Sequence, residues 1–268
     1  MYFEKPPLIE LIAELRWLPA GVPAGNENAL QLQIPAALFA ALGHSSEQFY
    51  MRFAGLVGAK GFLHSERLIP QGFPEMPFQP VYRYSKTGTQ PGQAIFQLGS
   101  GVFSAHITPP YKSWDDFRPF VGIGVAALLE ARDGSALPFN GATVRYLDCF
   151  TERFLQGLST GSFMQQVLGI GIGVPDAISK HLPSGKEITP AIQLSVPLAN
   201  DRKMDIALAN GATPSGSGLV MNSSVSSSVV LRPEQDIVMH FLDGAHQVIS
   251  DMFVTLTKQL HAVMDPQP

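Results

Sequence analysis

Residues 96–117 read FQLGSGVFSAHITPPYKSWDDF. Together with the preceding Ala94 and Ile95 they give two short runs, Ala94 to Leu98 and Val102 to Ile107, separated by glycines. Runs of that length parted by a glycine turn predict two antiparallel strands. Immediately behind them, Ser113 with Asp116 forms a capping pair before Phe117, Phe120, Val121, Ala127 and Leu128, and Gly134 offers a stop. Strands joined by tight turns and followed by a capped amphipathic helix predict an antiparallel sheet covered by helix, the α+β class.

Working outward, Val81 to Lys86 adds a strand to the meander, and four prolines between residues 70 and 80 mark extended chain before it. Ile9, Leu11, Ala13, Leu15 and Trp17 alternate with Glu10, Glu14 and Arg16, so Leu8 to Trp17 is a strand with one buried face. A Pro/Gly loop follows at Pro19, Gly21, Pro23 and Gly25. Pro35 then opens a helix from Ala36 to Leu42 that Gly43 ends, and Ser45 with Gln48 caps the next.

The same order recurs downstream. Ala142 to Phe150 is a strand, Ser162 to Leu168 a helix, and Ile192 to Leu198 with Met204 to Leu208 a hairpin turning at Asn200 and Asp201. A strand with a polar outer face runs from Gly218 to Leu231. From Pro233 a long helix carries the stripe Ile237, Phe241, Ala245, Val248, Met252, Leu256 and Leu260. The expectation is two similar halves, residues 1–134 and 141–268, each an antiparallel sheet packed against a long amphipathic helix, in one unit.

The chain has 268 residues, 45% hydrophobic and 15% charged, which is enough apolar chain for a folded core. A formal charge of −4 with dispersed basic residues argues against nucleic acid as partner. Cys149 is the single cysteine, so no intramolecular disulfide forms. Glu10 and Glu14 interrupt the first apolar stretch and no apolar run reaches spanning length, so neither leader nor membrane partner is expected and the reading is cytoplasmic.

Four segments, LIELIAELRW, FQLGSGVFSAHITPPYKSWDDF, ATVRYLDCF and LDGAHQVISDMF, resemble a sporadically distributed bacterial family of proteins of about this length. The shared features are the opening Pro6, Pro7, Leu8, Ile9, Glu10; Tyr111 and Trp114 before a helix; Arg145 and Tyr146 on a strand; and Ala245, His246 and Phe253 on the last helix. The family has no established catalytic residues. Its scattered, accessory genes imply a role in bacterial conflict or defence, such as toxin neutralisation. Relatives often carry Asn and a basic or apolar residue where this chain continues with Leu147, Asp148 and Cys149.

Several constellations bear on chemistry. Gly157, Ser159 and Gly161 match the G-x-S-x-G nucleophile elbow, and later acids and histidines allow a Ser159, Asp243, His246 order, or His181 as base. That elbow belongs to parallel sheets, whereas the strands here form meanders, so Ser159 reads first as a helix cap. The glycines at 169, 171 and 173 lack the third glycine of a phosphate loop. Asp243, His246 and Ser250 share a helix face at i, i+3 and i+7, as structural residues more readily than as a site. His240 and His246 lack the spacing for a shared metal, and no cofactor or metal is expected. Tyr111 and Trp114 read as a staple of the helix they precede.

The functional expectation is a non-enzymatic protein-binding module, an immunity protein or antitoxin that neutralises a toxin with a basic face by occlusion. Asp201, Arg202 and Asp205 are its candidate contacts. A serine hydrolase using Ser159, and a small-molecule binder with a cavity between sheet and helix, are the alternatives.

Overall fold

The structure is a computed structural model that describes residues 2–19, 36–86, 92–110, 113–133, 137–184, 188–213 and 216–267, with the side chains of residues 2 and 36–46 left aside. Gly21, Pro23 and Gly25 of the Pro/Gly loop, with Pro35, Tyr111 and Gly134, lie outside the described residues.

In chain order the elements are β1 (Tyr2–Phe3), β2 (Leu8–Arg16), α1 (Ala36–Gly58), β3 (His64–Arg67), β4 (Pro80–Ser85), β5 (Ile95–Gly99), β6 (Val102–Ile107) and α2 (Trp114–Ala131). They continue as β7 (Gly141–Thr151), α3 (Glu152–Leu155), α4 (Thr160–Gln166), α5 (Asp176–Ser179), β8 (Ile192–Leu198), β9 (Arg202–Thr213), β10 (Gly216–Ser227) and α6 (Gln235–Leu256). A 3₁₀ turn (Lys258–Leu260), α7 (His261–Met264) and β11 (Pro266–Gln267) complete the series. Among the described residues, nine strands form one antiparallel sheet in the order β3-β4-β5-β6-β2-β7-β10-β9-β8, and β1 pairs with β11. The fold is α+β.

The chain divides into two compact units, one of residues 12–144 and 226–244, the other of 1–11, 145–225 and 245–268. Each takes its larger part from one of the stretches 1–134 and 141–268 and exchanges an end of β2 and of α6 with the other.

In the unit built on 12–144, the meander β4-β5-β6 follows the expected order, with Phe96 opposite Ala105 and Leu98 opposite Phe103. β3, four residues reading HSER, extends it with no apolar alternation to announce it. The Ser113 amide donates to Asp116 Oδ2 at 3.2 Å as α2 begins. Trp114, Phe117, Val121, Val125 and Leu128 then bury one face at helical spacing. Phe53, Phe62, Phe96 and Phe103 form an aromatic cluster with centroids 4.4 to 6.2 Å apart, separations at which edge and tilted ring pairs add to burial.

α1 corrects one expectation. Gly43 does not end a helix and Ser45 does not begin one, because Ala36–Gly58 runs unbroken. A helical glycine costs only about 1 kcal/mol relative to alanine, and a long flanking run absorbs that.

In the other unit, Cys149 N–H donates to the Pro7 carbonyl at 2.8 Å, tying β7 to the chain just before β2. Phe150 meets Phe154 and Phe163 at 6.0 and 5.2 Å. In the hairpin β8-β9, Leu194 stands opposite Ile206 and Val196 opposite Met204. Asn200 and Asp201 turn it in the left-handed region, φ 58° and 52°, which short polar side chains tolerate. The stripe of α6 is rotated from the expected one: Val238, Leu242, Ala245 and Ile249 are the most deeply buried positions, while Ile237 and Val248 are half-buried. Two adjacent apolar ridges exist on this helix, and periodicity alone does not choose between them.

Candidate functional site

Ser159 is the N-cap of α4: its Oγ accepts from the Ser162 amide at 3.2 Å and donates to Ser162 Oγ at 3.0 Å. Gly157 carries φ 81° and Gln156 φ 51°, so the glycine-rich stretch is a left-handed exit from α3 followed at once by a capped helix.

Asp243 accepts a bidentate pair from Arg118, 2.8 Å from Nε and 2.9 Å from Nη2, and a third bond from Trp114 Nε1 at 2.9 Å. The pairing raises the pKa of the already cationic Arg118. His246, at i+3 on the same helix, joins instead to the hydroxyl of Tyr146, 2.6 Å from Nδ1, with the two rings stacked at 6.0 Å. Among the described residues, then, Asp243 bonds Trp114 and Arg118, His246 bonds Tyr146, and Ser159 bonds Ser162. Trp114 is the staple expected from its position, and its acceptor is the acid on α6 rather than a ligand.

One polar network had no sequence signal. Arg67 bonds Glu47, Tyr82 at 3.0 Å and Glu75 at 3.4 Å, and Tyr50 donates to Glu75 at 2.9 Å. The hydrogen bond to Glu47 holds Arg67 more firmly protonated, while burial pushes the Glu75 carboxyl up. Its members come from α1, β3, the proline-rich loop and β4, scattered in sequence, and they pin that loop to the sheet. A groove of about 390 Å³ runs along Leu56, Lys60, Pro119, Ile123, Ala126 and Glu130, between helices rather than between sheet and helix.

The residues expected to meet a partner share one hairpin. Asp201 is exposed in the turn; Arg202 and Asp205 are half-exposed on β9, where Lys203 pairs Asp205 at 3.0 Å. The feature missed from sequence is β8 beside them. Leu194 and Val196 are 38% and 40% exposed although their opposite numbers Ile206 and Met204 are buried. The signal was available: seven consecutive residues with no charge, IQLSVPL, interrupted by a proline that a central strand excludes.

No protein-family model and no curated protein sequence matches this chain. Among solved structures, the di-domain ARO/CYC StfQ from the steffimycin biosynthetic pathway aligns over 95% of this chain and 98% of its own at 10% identity, with a TM-score of 0.17. Among the described residues no helix is long and apolar enough to cross a membrane, and no group of three or more His, Cys, Asp or Glu side chains is placed to hold a metal.

Proposed function

We propose that this protein is a non-enzymatic protein-binding module of the bacterial cytoplasm, an immunity protein or antitoxin that neutralises a toxin by covering its working surface. The observation that carries this reading is the β8-β9 hairpin, which shows half-exposed Leu194 and Val196 beside the charged positions Asp201, Arg202 and Asp205. An apolar centre with a polar rim is the usual anatomy of a protein interface. Asp201 and Asp205 supply the acidic contacts for a basic toxin face, which speeds encounter and discriminates between partners.

The resemblance in sequence supports the same reading, since Trp114, Tyr146 and His246 of its motifs make structural bonds here. The shared element order, strand, helix, strands, long helix, supports viewing 1–134 and 141–268 as two similar halves closed by α2 and α6.

The test is co-expression with a toxin gene from the same genomic neighbourhood. Growth protection with co-purification of the two proteins is expected, and Asp201→Lys with Asp205→Lys abolishes both while the chain stays folded. Protection by a variant that no longer co-purifies, or failure of both with the unaltered chain, counts against the proposal.

A further inference from the structure

α2 is apolar on more than its buried side. From Pro119 to Leu129 it carries no charged or polar side chain. Its outward surface therefore shows half-exposed Gly122, Ile123 and Ala126, where a surface helix ordinarily shows polar groups. With Leu56 of α1 these residues floor the groove of about 390 Å³.

The glycines of this surface point to an approach from outside the chain. A Cβ at Gly124 would strike the rings of Phe103 and Phe96, so that glycine has an internal reason. A Cβ at Gly122 would meet no more than Gln235 Nε2 at 3.9 Å, and one at Gly55 or Gly58 of α1 nothing within 4 Å. Glycine weakens a helix interior relative to alanine, and the packing of the chain itself does not ask for it at Gly122. The close approach of a second backbone does.

The charges at the two ends of the groove select the occupant. α1 and α2 run antiparallel, with Arg52 bonded to Asp133 at 3.1 Å and the rings of Phe62 and Phe120 6.4 Å apart. Lys60 therefore stands level with Pro119 to Ile123, and Glu130 lies toward the other end, beyond Leu56. Both are exposed, and neither joins an ion pair among the described residues. A uniformly basic or acidic partner is drawn to one end and repelled by the other. The same surface turned end for end satisfies both.

We propose that α2 packs antiparallel on α2 of a second copy of this chain, about a two-fold axis passing between Ile123 and Ala126. Pro119 and Glu130 lie equally far from that axis, about 16 Å apart along the helix, so Lys60 of each copy meets Glu130 of the other. Two ion pairs then flank an apolar centre in which Ile123 of one copy descends on Ala126 of the other. Gly122 lets the helices close to roughly 8 Å, the near limit for packed helices. The same patch serves both copies, so the assembly closes at two. It lies within the unit built on 12–144 and does not depend on the proposed neutralising role.

Sedimentation equilibrium of the full chain tests it. A contact this small gives a weak dimer, so association is expected near about 0.1 mM. Lys60→Glu and Glu130→Lys each set like charges face to face twice and weaken dimerisation about tenfold, roughly 1.4 kcal/mol. The two changes in one chain, or an equimolar mixture of the single variants, restore it. Gly122→Leu puts a helix former into open space, so the chain unfolds no more easily than the parent while dimerisation falls at least about tenfold. The proposal is overturned if the unaltered chain stays monomeric at that concentration, if the double charge exchange dimerises as poorly as either single variant, or if Gly122→Leu dimerises unchanged.

Discussion

The hydroxyl of Tyr146 and Nδ1 of His246 share a hydrogen bond of 2.6 Å beneath stacked rings, so a strand residue and a helix residue a hundred positions apart form one contact. Both groups are partly buried, and a net hydrogen bond there contributes about 0.5–1.5 kcal/mol. Tyr146→Phe is expected to lose about that much in urea unfolding. The double variant with His246→Ala should be less destabilised than the sum of the single changes. Strict additivity would show that the two side chains do not cooperate.

Asp243 holds Trp114 and Arg118 together. Arg118 is about half exposed, so solvent weakens its ion pair, and the more consequential partner is the indole N–H of Trp114, whose ring is buried. Asp243→Ala should cost about 1–3 kcal/mol by orphaning that donor. Asp243→Asn keeps an acceptor for the indole and should recover most of the loss. If both variants unfold alike, the charge of Asp243 is what α2 and α6 depend on.

Ser159 acts as a helix cap, so Ser159→Ala should reduce stability by about 1 kcal/mol. A fluorophosphonate probe should leave the unaltered protein unlabelled. Covalent capture at Ser159 would establish a nucleophile and end the non-enzymatic reading.

Asp148 is fully buried, and burial pushes its carboxyl up to about 7 from 3.8, with Oδ2 lacking a hydrogen-bond partner among the described residues. Below pH 3.8 both folded and unfolded chains are protonated there, and the group costs nothing. Between 3.8 and 7 the unfolded chain ionises while the folded one keeps its proton, so stability falls as pH rises, and the penalty is complete above 7. The full penalty is a few kcal/mol. Asp148→Asn should therefore be the more stable form at pH 8 and lose its advantage at pH 4, read from unfolding curves at the two values. A variant that is weaker than the parent at pH 8 contradicts this.

Two glycines separate tolerable from intolerable crowding. A Cβ at Gly124 meets the rims of the Phe103 and Phe96 rings at 2.6 and 2.8 Å, whereas one at Gly99 falls 1.9 Å from the backbone oxygen of Gln79. Rings tilt, but the backbone that leads directly into β4 has little room to move. Gly124→Ala should cost about 1–3 kcal/mol, and Gly99→Ala should disrupt the β4-β5 pairing, visible as lost amide-exchange protection at Tyr82 and Leu98.

Strands and helices with strong local signals were readable: the alternation of β2, the glycine-parted meander, the Ser113–Asp116 cap and the Asn200–Asp201 turn all reappear. Signals that rest on one residue were weaker. Gly43 reads as a stop, yet its cost is small beside a long helix, and β3 has polar residues because it lies at an exposed edge. The bonds of Asp243 and His246 were not readable at all. Their spacing on α6 places them together, but the partners Trp114 and Tyr146 come from distant parts of the chain that only folding brings near. The edge position of β8 was legible only through Pro197, which a central strand excludes; its neighbours in the sheet were not, since strand order is not written in the alternation of any one strand.

The division of β2 at Leu11 and of α6 at Gly244 means that a cut near residue 140 does not part the two units along their own border. An N-terminal fragment so produced lacks the 226–244 portion of its unit, and the C-terminal fragment lacks residues 1–11 of the other. Each piece thus leaves with a loan outstanding to its neighbour. Separately made fragments have a reason to rejoin, and a split reporter of this chain would be assembled by its own core.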